Sequence, residues 1–337
     1  MPAVCPSPPS YLDSAAFQSL AFHILTSIEI PIHLFAFYVI IFKTPTKMQS
    51  VKWAMFNLHF WSASLDISLS FFTIPYIFFP STAGYGLGLL SWFDVYPGYQ
   101  TGVVIAEIGM TVVSTLVLFE NRYTILTLSD STSTRYRRIC IGFAYTFALL
   151  YIIPFIHQIP EQESAVETVL ERLPSIRCFY SGPVFVVALD ATRIALVTAG
   201  KLAVEFVSIL SLVALTSYKI FIQTQRSTLS QMTMSLQKRF FVALMIQTAI
   251  PIVIMIFPLI ICANAVVFDY FNQAQLNLFA HLIFGILLID GLPDVVLHLL
   301  QLLQTVRFKC PESRASGADF LVAPIVEDDI ASQFFVL

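Results

Sequence analysis

Ionisable side chains interrupt several long apolar stretches of this sequence. Glu107 lies in one stretch, His59 and Asp66 in an earlier one, and Asp290 and Asp294 in the last. An ionised group in hydrocarbon costs at least about 2.5–3.5 kcal/mol on insertion scales. Such groups are therefore candidates for ligand contact or for a conformational switch. The alternative is that they pair with each other, with backbone or with water, and only fix the packing.

Two further pairs lie four residues apart, which is about one helical turn. Glu29 and His33 can share a face of the first apolar stretch. Lys201 and Glu205 can neutralise each other at the start of the fifth. We predict a structural role for the second pair.

The sequence contains no common motif of an enzyme active site or a cofactor site. The sequence lacks His-Glu-x-x-His, Gly-x-Ser-x-Gly, a P-loop and Gly-x-Gly-x-x-Gly. Its six histidines show no metal-ligand spacing, and the last apolar stretch has no Lys for a retinal Schiff base. The net charge of −3 excludes a nucleic-acid-binding face. We predict neither an enzyme nor a bound cofactor or metal.

The elements that must position these groups are membrane-spanning helices. Of 337 residues, 57% are apolar and 12% charged, against roughly 45–50% and about 25% in soluble domains. A spanning helix needs about 20 mostly apolar residues. Seven such stretches run over residues 17–42, 53–79, 101–128, 139–158, 202–222, 240–263 and 276–303. The sequence predicts an all-α membrane protein, a seven-helix bundle over 17–304 in the lipid bilayer, with a terminal segment 1–16 and a largely disordered tail 305–337.

Charge distribution predicts the orientation of these spans. Of the 18 Lys and Arg residues, 14 fall in the first, third and fifth connections and the tail. Positively charged short loops stay in the cytoplasm. The N-terminus is therefore predicted outside and the C-terminus inside.

The cysteines add two modification sites. Cys5 and Cys178 lie on the predicted outer side, where oxidation is permitted; a disulfide between them and two free thiols both remain open. Cys310 follows the seventh span and basic residues, a position suited to palmitoylation.

Basic residues mark the predicted inner ends of the spans. Glu120-Asn121-Arg122-Tyr123 closes the third span, and a lipid-facing Arg that reaches the interface is the alternative to a signalling role. We assign a surface facing a cytoplasmic partner to four residues: Arg122, Tyr123, Lys238 and Arg239.

Longer motifs run along most of the chain, from about Tyr11 to Phe308. They include Pro31-Ile32-His33-Leu34-Phe35, Lys43-Thr44-Pro45, Asn57-Leu58-His59-Phe60-Trp61-Ser62, Ala83-Gly84-Tyr85-Gly86-Leu87-Gly88, Ile159-Pro160-Glu161-Gln162 and Gln237-Lys238-Arg239-Phe240. Together these strings resemble the nematode serpentine receptors of class H. The resemblance implies a chemoreceptor in the ciliary or plasma membrane of sensory neurons that signals through a heterotrimeric G protein.

On this interpretation a small-molecule ligand enters an outward pocket bounded by spans two, three, six and seven. Glu107, Tyr85 and Phe71 are its predicted contacts. The predicted switching core lies deeper and comprises four residues: Asp66, His59, Asp290 and Asp294.

The seventh span departs from the family pattern. It has Asp290-Gly291-Leu292-Pro293-Asp294 where the family usually has His-Gly followed by Ser-Thr, and Thr305-Val306-Arg307 in place of Pro-Tyr-Arg. Two alternatives stay open: an ion channel or transporter that uses the intramembrane carboxylates, and a receptor-like protein that does not couple.

Overall fold

Helices dominate the part of the chain that the structure describes. In the computed structural model this part comprises residues 11–44, 49–78, 81–127, 131–172 and 183–225, with 238, 241, 242 and 245. The helices are α1 (Ala15–Tyr38), α2 (Gln49–Ile67), α3 (Leu89–Trp92), α4 (Pro97–Thr127), α5 (Ser131–Leu150), α6 (Ile152–Ile156), α7 (Gln162–Arg172) and α8 (Ala191–Gln225). Short π-helical segments, Val39–Lys43 and Ser68–Thr73, extend α1 and α2, and a 3₁₀ turn, Tyr11–Asp13, precedes α1.

Within the described residues, the helices long and apolar enough to cross a membrane are Ala15–Lys43, Pro97–Thr127, Arg135–Ile156 and Leu196–Ile222. They overlap the first, third, fourth and fifth predicted spans. The second predicted span overlaps α2 with its π-helical extension, which is not among these four helices. The sixth, apart from 241, 242 and 245, lies outside the described residues, as do the seventh, the tail 305–337 and the first ten residues.

Two side chains fix the start of α1. The backbone N–H of Phe17 donates to Oγ of Ser14 at 3.1 Å, which satisfies one of the free amides at a helix start. The side-chain amide of Gln18 donates to the carbonyl of Pro75 at 3.0 Å. The beginning of α1 is therefore joined to the segment that follows α2.

Helix α4 is the central element, packed against α2, α5 and α8. Leu118 and Phe119 of α4 are buried together with Met55 of α2 and Ile209 of α8. At Gly109 an added Cβ would lie 3.1 Å from Cβ of Ala148 on α5. A small residue here lets two helices approach closely, as is common in membrane bundles.

The described residues are mostly helical, as predicted, but a three-stranded antiparallel sheet that the all-α prediction did not include covers one end of the helices. Its strands β1 (Pro75–Phe78), β2 (Thr82–Gly86) and β3 (Phe185–Ala188) pair in the order β1-β2-β3. The predicted second span thus ends at Thr73 rather than at residue 79.

The backbone explains why the helix ends there. Ile74 adopts the left-handed conformation, with φ 37°, and Pro75 has no N–H with which to continue a helix. On β2, Gly84 pairs with Ile77 of β1, and an added Cβ at Gly84 would lie 2.3 Å from the carbonyl oxygen of Tyr76. Only glycine permits this approach of β2 to β1.

Helix α7 covers the sheet. Its Ala165 and Val169 pack on Tyr76, Phe78 and Val186. We call the sheet with α7 the cap, and the end of the helices beside it the sheet end. That end contains the starts of α1, α4 and α8.

A glutamine side chain completes the edge of β3. Val186 N–H donates to Oε1 of Gln162 at 2.9 Å, and Nε2 of Gln162 donates to the Val186 carbonyl at 3.1 Å. Both backbone groups of Val186 are therefore satisfied without a fourth strand.

Helix α8 begins well before the predicted fifth span, which was placed at 202. The Thr192 N–H donates to Oδ1 of Asp190 at 2.9 Å, a helix N-cap. This hydrogen bond lowers the pKa of Asp190 below its ordinary value. The early start places residues 194–198 in the helix as well.

Candidate functional site

The predicted ionisable residues lie against two different faces of α2. Toward α1, Nε2 of His33 lies 3.2 Å from Oδ2 of Asp66. His59 Nε2 lies 3.4 Å from the His33 carbonyl, and the two imidazole centroids are 5.2 Å apart. All three residues are at most 3% exposed. The structure thus brings His59 and Asp66 of the predicted switching core together around His33.

The α1–α2 contact continues one turn closer to the sheet end. Ser70 donates its hydroxyl to Oε2 of Glu29 at 2.7 Å, and Thr26 donates to the Ser70 carbonyl at 2.9 Å. Glu29 is 1% exposed and Ser70 fully buried. Glu29 and His33 share a face of α1, as their spacing predicted.

Toward α4, α2 presents serines to Glu107. The hydroxyls of Ser64 and Ser68 both donate to Oε1, at 2.6 Å and 2.9 Å. In the part of the chain that the structure describes, Oε2 has no hydrogen-bond partner, although Glu107 is only 8% exposed. Among the described residues, one oxygen of this carboxyl group is hydrogen-bonded and the other is not.

A hydroxyl and amide cluster lies further along α4 toward the other end. Nδ2 of Asn57 on α2 donates to Oγ of Ser114 on α4 at 2.9 Å and to the Tyr145 hydroxyl on α5 at 2.6 Å. The Ser114 and Tyr145 hydroxyl oxygens are 3.0 Å apart. Three helices meet at this polar junction.

The other predicted ligand contacts, Tyr85 and Phe71, lie beside other aromatic rings. The Tyr85 ring packs in the cap, 5.2 Å from the Tyr76 centroid and 5.9 Å from that of Phe78. The Phe71 ring lies 6.5 Å from that of His23 on α1. The involvement of Tyr85 and Phe71 in ligand binding stays a prediction.

The predicted ion pair on α8 is confirmed. Nζ of Lys201 donates to Oε1 of Glu205 at 2.6 Å, with both residues 8% exposed. The ammonium also lies 4.9 Å from the Tyr151 ring centroid, and the Tyr151 hydroxyl donates to Thr198 at 2.6 Å. The cluster joins α8 to the end of α5.

At the end opposite the sheet, Glu120 binds a residue of α5. Nε of Arg137 donates to Oε2 of Glu120 at 2.6 Å, and Thr124 donates to Oε1 at 2.8 Å.

A small cavity lies at the same end of the helices. Its volume is about 20 Å³, which is room for one water molecule, and it is lined by Arg122, Ile125, Leu126, Thr216, Ile220 and Phe241. Tyr123 is half-buried and Lys238 exposed.

Several sequence predictions fall on residues outside the described part of the chain: Asp290, Asp294, Arg239, Cys5, Cys178 and Cys310. Among the cysteines that the structure describes, Cys140 is free and exposed. Among the described residues, no group of three or more His, Cys, Asp or Glu is placed to hold a metal ion.

Sequence reasoning missed the serine, tyrosine and arginine partners of these groups. Ser64 and Ser68 are four residues apart, the spacing that puts two hydroxyls on one helix face, and this was the available signal. Tyr145 and Arg137 carried none, because their partners are distant in sequence.

Comparison with known proteins gives consistent results. The family described as "Serpentine type 7TM GPCR chemoreceptor Srh" matches residues 13–286. The chain is also similar to Serpentine receptor class H-72 of Caenorhabditis elegans, with 25% identity over 297 residues that cover 86% of each chain.

Proposed function

This chain belongs to the Srh family of seven-transmembrane GPCR chemoreceptors, and from that premise we propose that it binds a small molecule from outside and signals to a heterotrimeric G protein. In this proposal the sheet end faces outside, and Arg122 and Lys238 face the cytoplasm. The protein acts in the plasma membrane, including that of sensory cilia. Ligand binding shifts the population between two packings of the helices.

The observation that carries the proposal is the division of α2 between two buried polar contacts. Ser64 and Ser68 bind Glu107 on the α4 side, while Asp66, between them in sequence, lies against His33 on the α1 side. A ligand that binds Glu107 changes the contact that positions α2. Any resulting displacement of α2 also changes the distance between His33 and Asp66.

Helix α4 supplies the connection to the opposite end. It is one helix from Pro97 to Thr127, and Glu107 and Glu120 are thirteen residues apart on it, about 20 Å at 1.5 Å per residue. A shift or rotation of α4 at Glu107 therefore reaches the ion pair of Glu120 with Arg137. Helical proteins respond to ligand binding through small helix shifts of this kind.

The channel or transporter alternative receives less support from the same geometry. It requires Asp66 and Glu107 to line one ion path. In the described part of the chain, however, Asp66 is buried against α1, and Glu107 is buried against the opposite side of α2. The two carboxylates therefore belong to separate helix interfaces.

The test is a ligand screen with the full-length chain in cells that report cAMP, cGMP or calcium. Once a ligand is found, Glu107→Gln is compared with wild type at equal surface expression. We expect the half-maximal concentration to rise by roughly tenfold or more, as for loss of a buried charged contact. An unchanged dose–response curve removes Glu107 from the ligand site.

The same screen also tests the two alternatives, a receptor-like protein that does not couple and an ion channel. A chain that reaches the surface and is stabilised by a ligand after purification, but never gives a reporter response, is a receptor-like protein that does not couple. A ligand-gated current without G protein favours the channel.

A further inference from the structure

The chemistry of Glu107 restricts which ligands can bind Oε2, the oxygen without a partner among the described residues. Both Ser64 and Ser68 donate to Oε1, so Oε1 acts as an acceptor and has two donors. Oε2 is buried without a partner among the described residues. As a carboxylate oxygen it needs a donor, and in a buried site a cationic donor compensates its charge best.

The protein itself provides no Lys or Arg close in sequence to fill that role. Residues 1–42 and 53–121 contain neither, although Glu29, Asp66 and Glu107 lie within them. The imidazole of His33 faces Asp66 on the other side of α2, and His59 lies beside His33. The part of the bundle formed by α1, α2 and α4 near the sheet end thus has an excess of buried acidic groups.

The described surface of the sheet end also carries an excess of negative charge. Among the described residues there, exposed acidic side chains outnumber basic ones; the acidic set is Asp94, Glu161, Glu163, Glu167, Glu171 and Asp190, and the basic set is Arg172 and Arg193. A negative surface raises the local concentration of cations and speeds their association. It therefore favours the approach of positively charged ligands.

An aromatic ring shares the α2 face that meets Glu107. Trp61 precedes Ser64 by three residues and Ser68 by seven, the spacing of one helix face, and it is half-buried. Indole is the best aromatic partner for a cation. An indole on this face is the kind of side chain that suits an ammonium group as a second contact.

From these observations we propose that the ligand of this receptor is an organic amine in its protonated form, whose ammonium N–H donates to Oε2 of Glu107. This inference rests on the proposed function and names the ligand class of the same site. A neutral carbonyl ligand bound to protonated Glu107, and an inorganic cation at Oε2, are the competing occupants.

The test uses the full-length chain purified into lipid nanodiscs, with thermal unfolding as the readout. The probes are hexylammonium and 2-phenylethylammonium chloride, each with its alcohol of the same carbon skeleton, and sodium chloride at equal ionic strength. The variants are Glu107→Gln and Glu29→Gln. Glu29 is the matched control, because it is also a buried glutamate bound by a serine, but on the α1 side.

We expect at least one ammonium ion to stabilise the wild type at a concentration roughly tenfold or more below that of its alcohol. Glu107→Gln should abolish this preference and Glu29→Gln should retain it. The proposal is overturned if no ammonium ion surpasses its alcohol, if the preference survives Glu107→Gln, or if sodium chloride gives the same stabilisation.

Reporter cells treated with the same pairs distinguish this inference from the proposed function. Responses to alcohols alone leave the receptor function standing and overturn the amine assignment. Stabilisation by amines without any reporter response supports the amine assignment and contradicts the receptor function.

Discussion

Nε2 of His33 on α1 lies 3.2 Å from Oδ2 of Asp66 on α2, with the side chains 4% and 2% exposed. Loss of one member of such a pair leaves the other buried polar group without compensation, which costs about 1–3 kcal/mol. We predict that His33→Leu and Asp66→Leu each lower the thermal unfolding midpoint of the purified chain strongly. The double variant should lose far less than the sum of both.

The control is His23→Leu, a half-buried histidine on the same helix, for which we expect a change within about 0.5 kcal/mol. Additive losses in the double variant would show that the two side chains do not interact.

The junction of α2, α4 and α5 makes a second prediction. Tyr145→Phe removes the hydroxyl that accepts from Asn57 at 2.6 Å and lies 3.0 Å from Oγ of Ser114. We expect a loss of about 1–3 kcal/mol, because the remaining polar groups become partly unsatisfied. Thermal unfolding measures it, and Tyr136→Phe, at an exposed position on the same helix, is the matched control. Equal midpoints for the two variants would contradict the assignment.

Local spacing was sufficient to predict contacts within one helix. The Lys201–Glu205 pair follows from a separation of four residues, and it forms. The pairing of Glu120 with Arg137 joins positions seventeen residues apart on different helices. No periodicity in the sequence predicts such a contact, because the contact depends on how α4 and α5 pack against each other.

The cap shows where a composition argument fails. The segment 75–79 is as apolar as the helix before it, so a span ending at 79 was the natural prediction. Pro75, and the glycines at 84, 86 and 88, were the signals for a strand and close backbone contact. Tertiary packing of Tyr76 and Phe78 against α7 then decided the outcome.

The ion pair at the end opposite the sheet makes a third prediction. Arg137→Ala, Glu120→Ala and the double variant form a cycle whose coupling energy isolates the pair. The two side chains are 26% and 22% exposed, so solvent weakens the interaction, and we expect a coupling of about 0.5–1 kcal/mol. Thermal unfolding of the four proteins gives the value. A coupling of zero would mean that the contact contributes nothing to stability.

The cap makes the last prediction, because two glycines of the chain have opposite surroundings. A methyl group at Gly84 would lie 2.3 Å from the Tyr76 carbonyl oxygen. The nearest atoms are backbone atoms of β1, which cannot move aside as a flexible side chain can. We expect Gly84→Ala to destabilise the protein by about 1–3 kcal/mol, as overpacking does. At Gly142, within α5, nothing lies within 4 Å of an added Cβ, and Gly142→Ala should instead stabilise the helix by about 0.5–1 kcal/mol. Thermal unfolding and proteolysis of the two variants measure these opposite signs. If both shift in the same direction, β2 does not approach β1 as closely as the Gly84–Tyr76 contact requires.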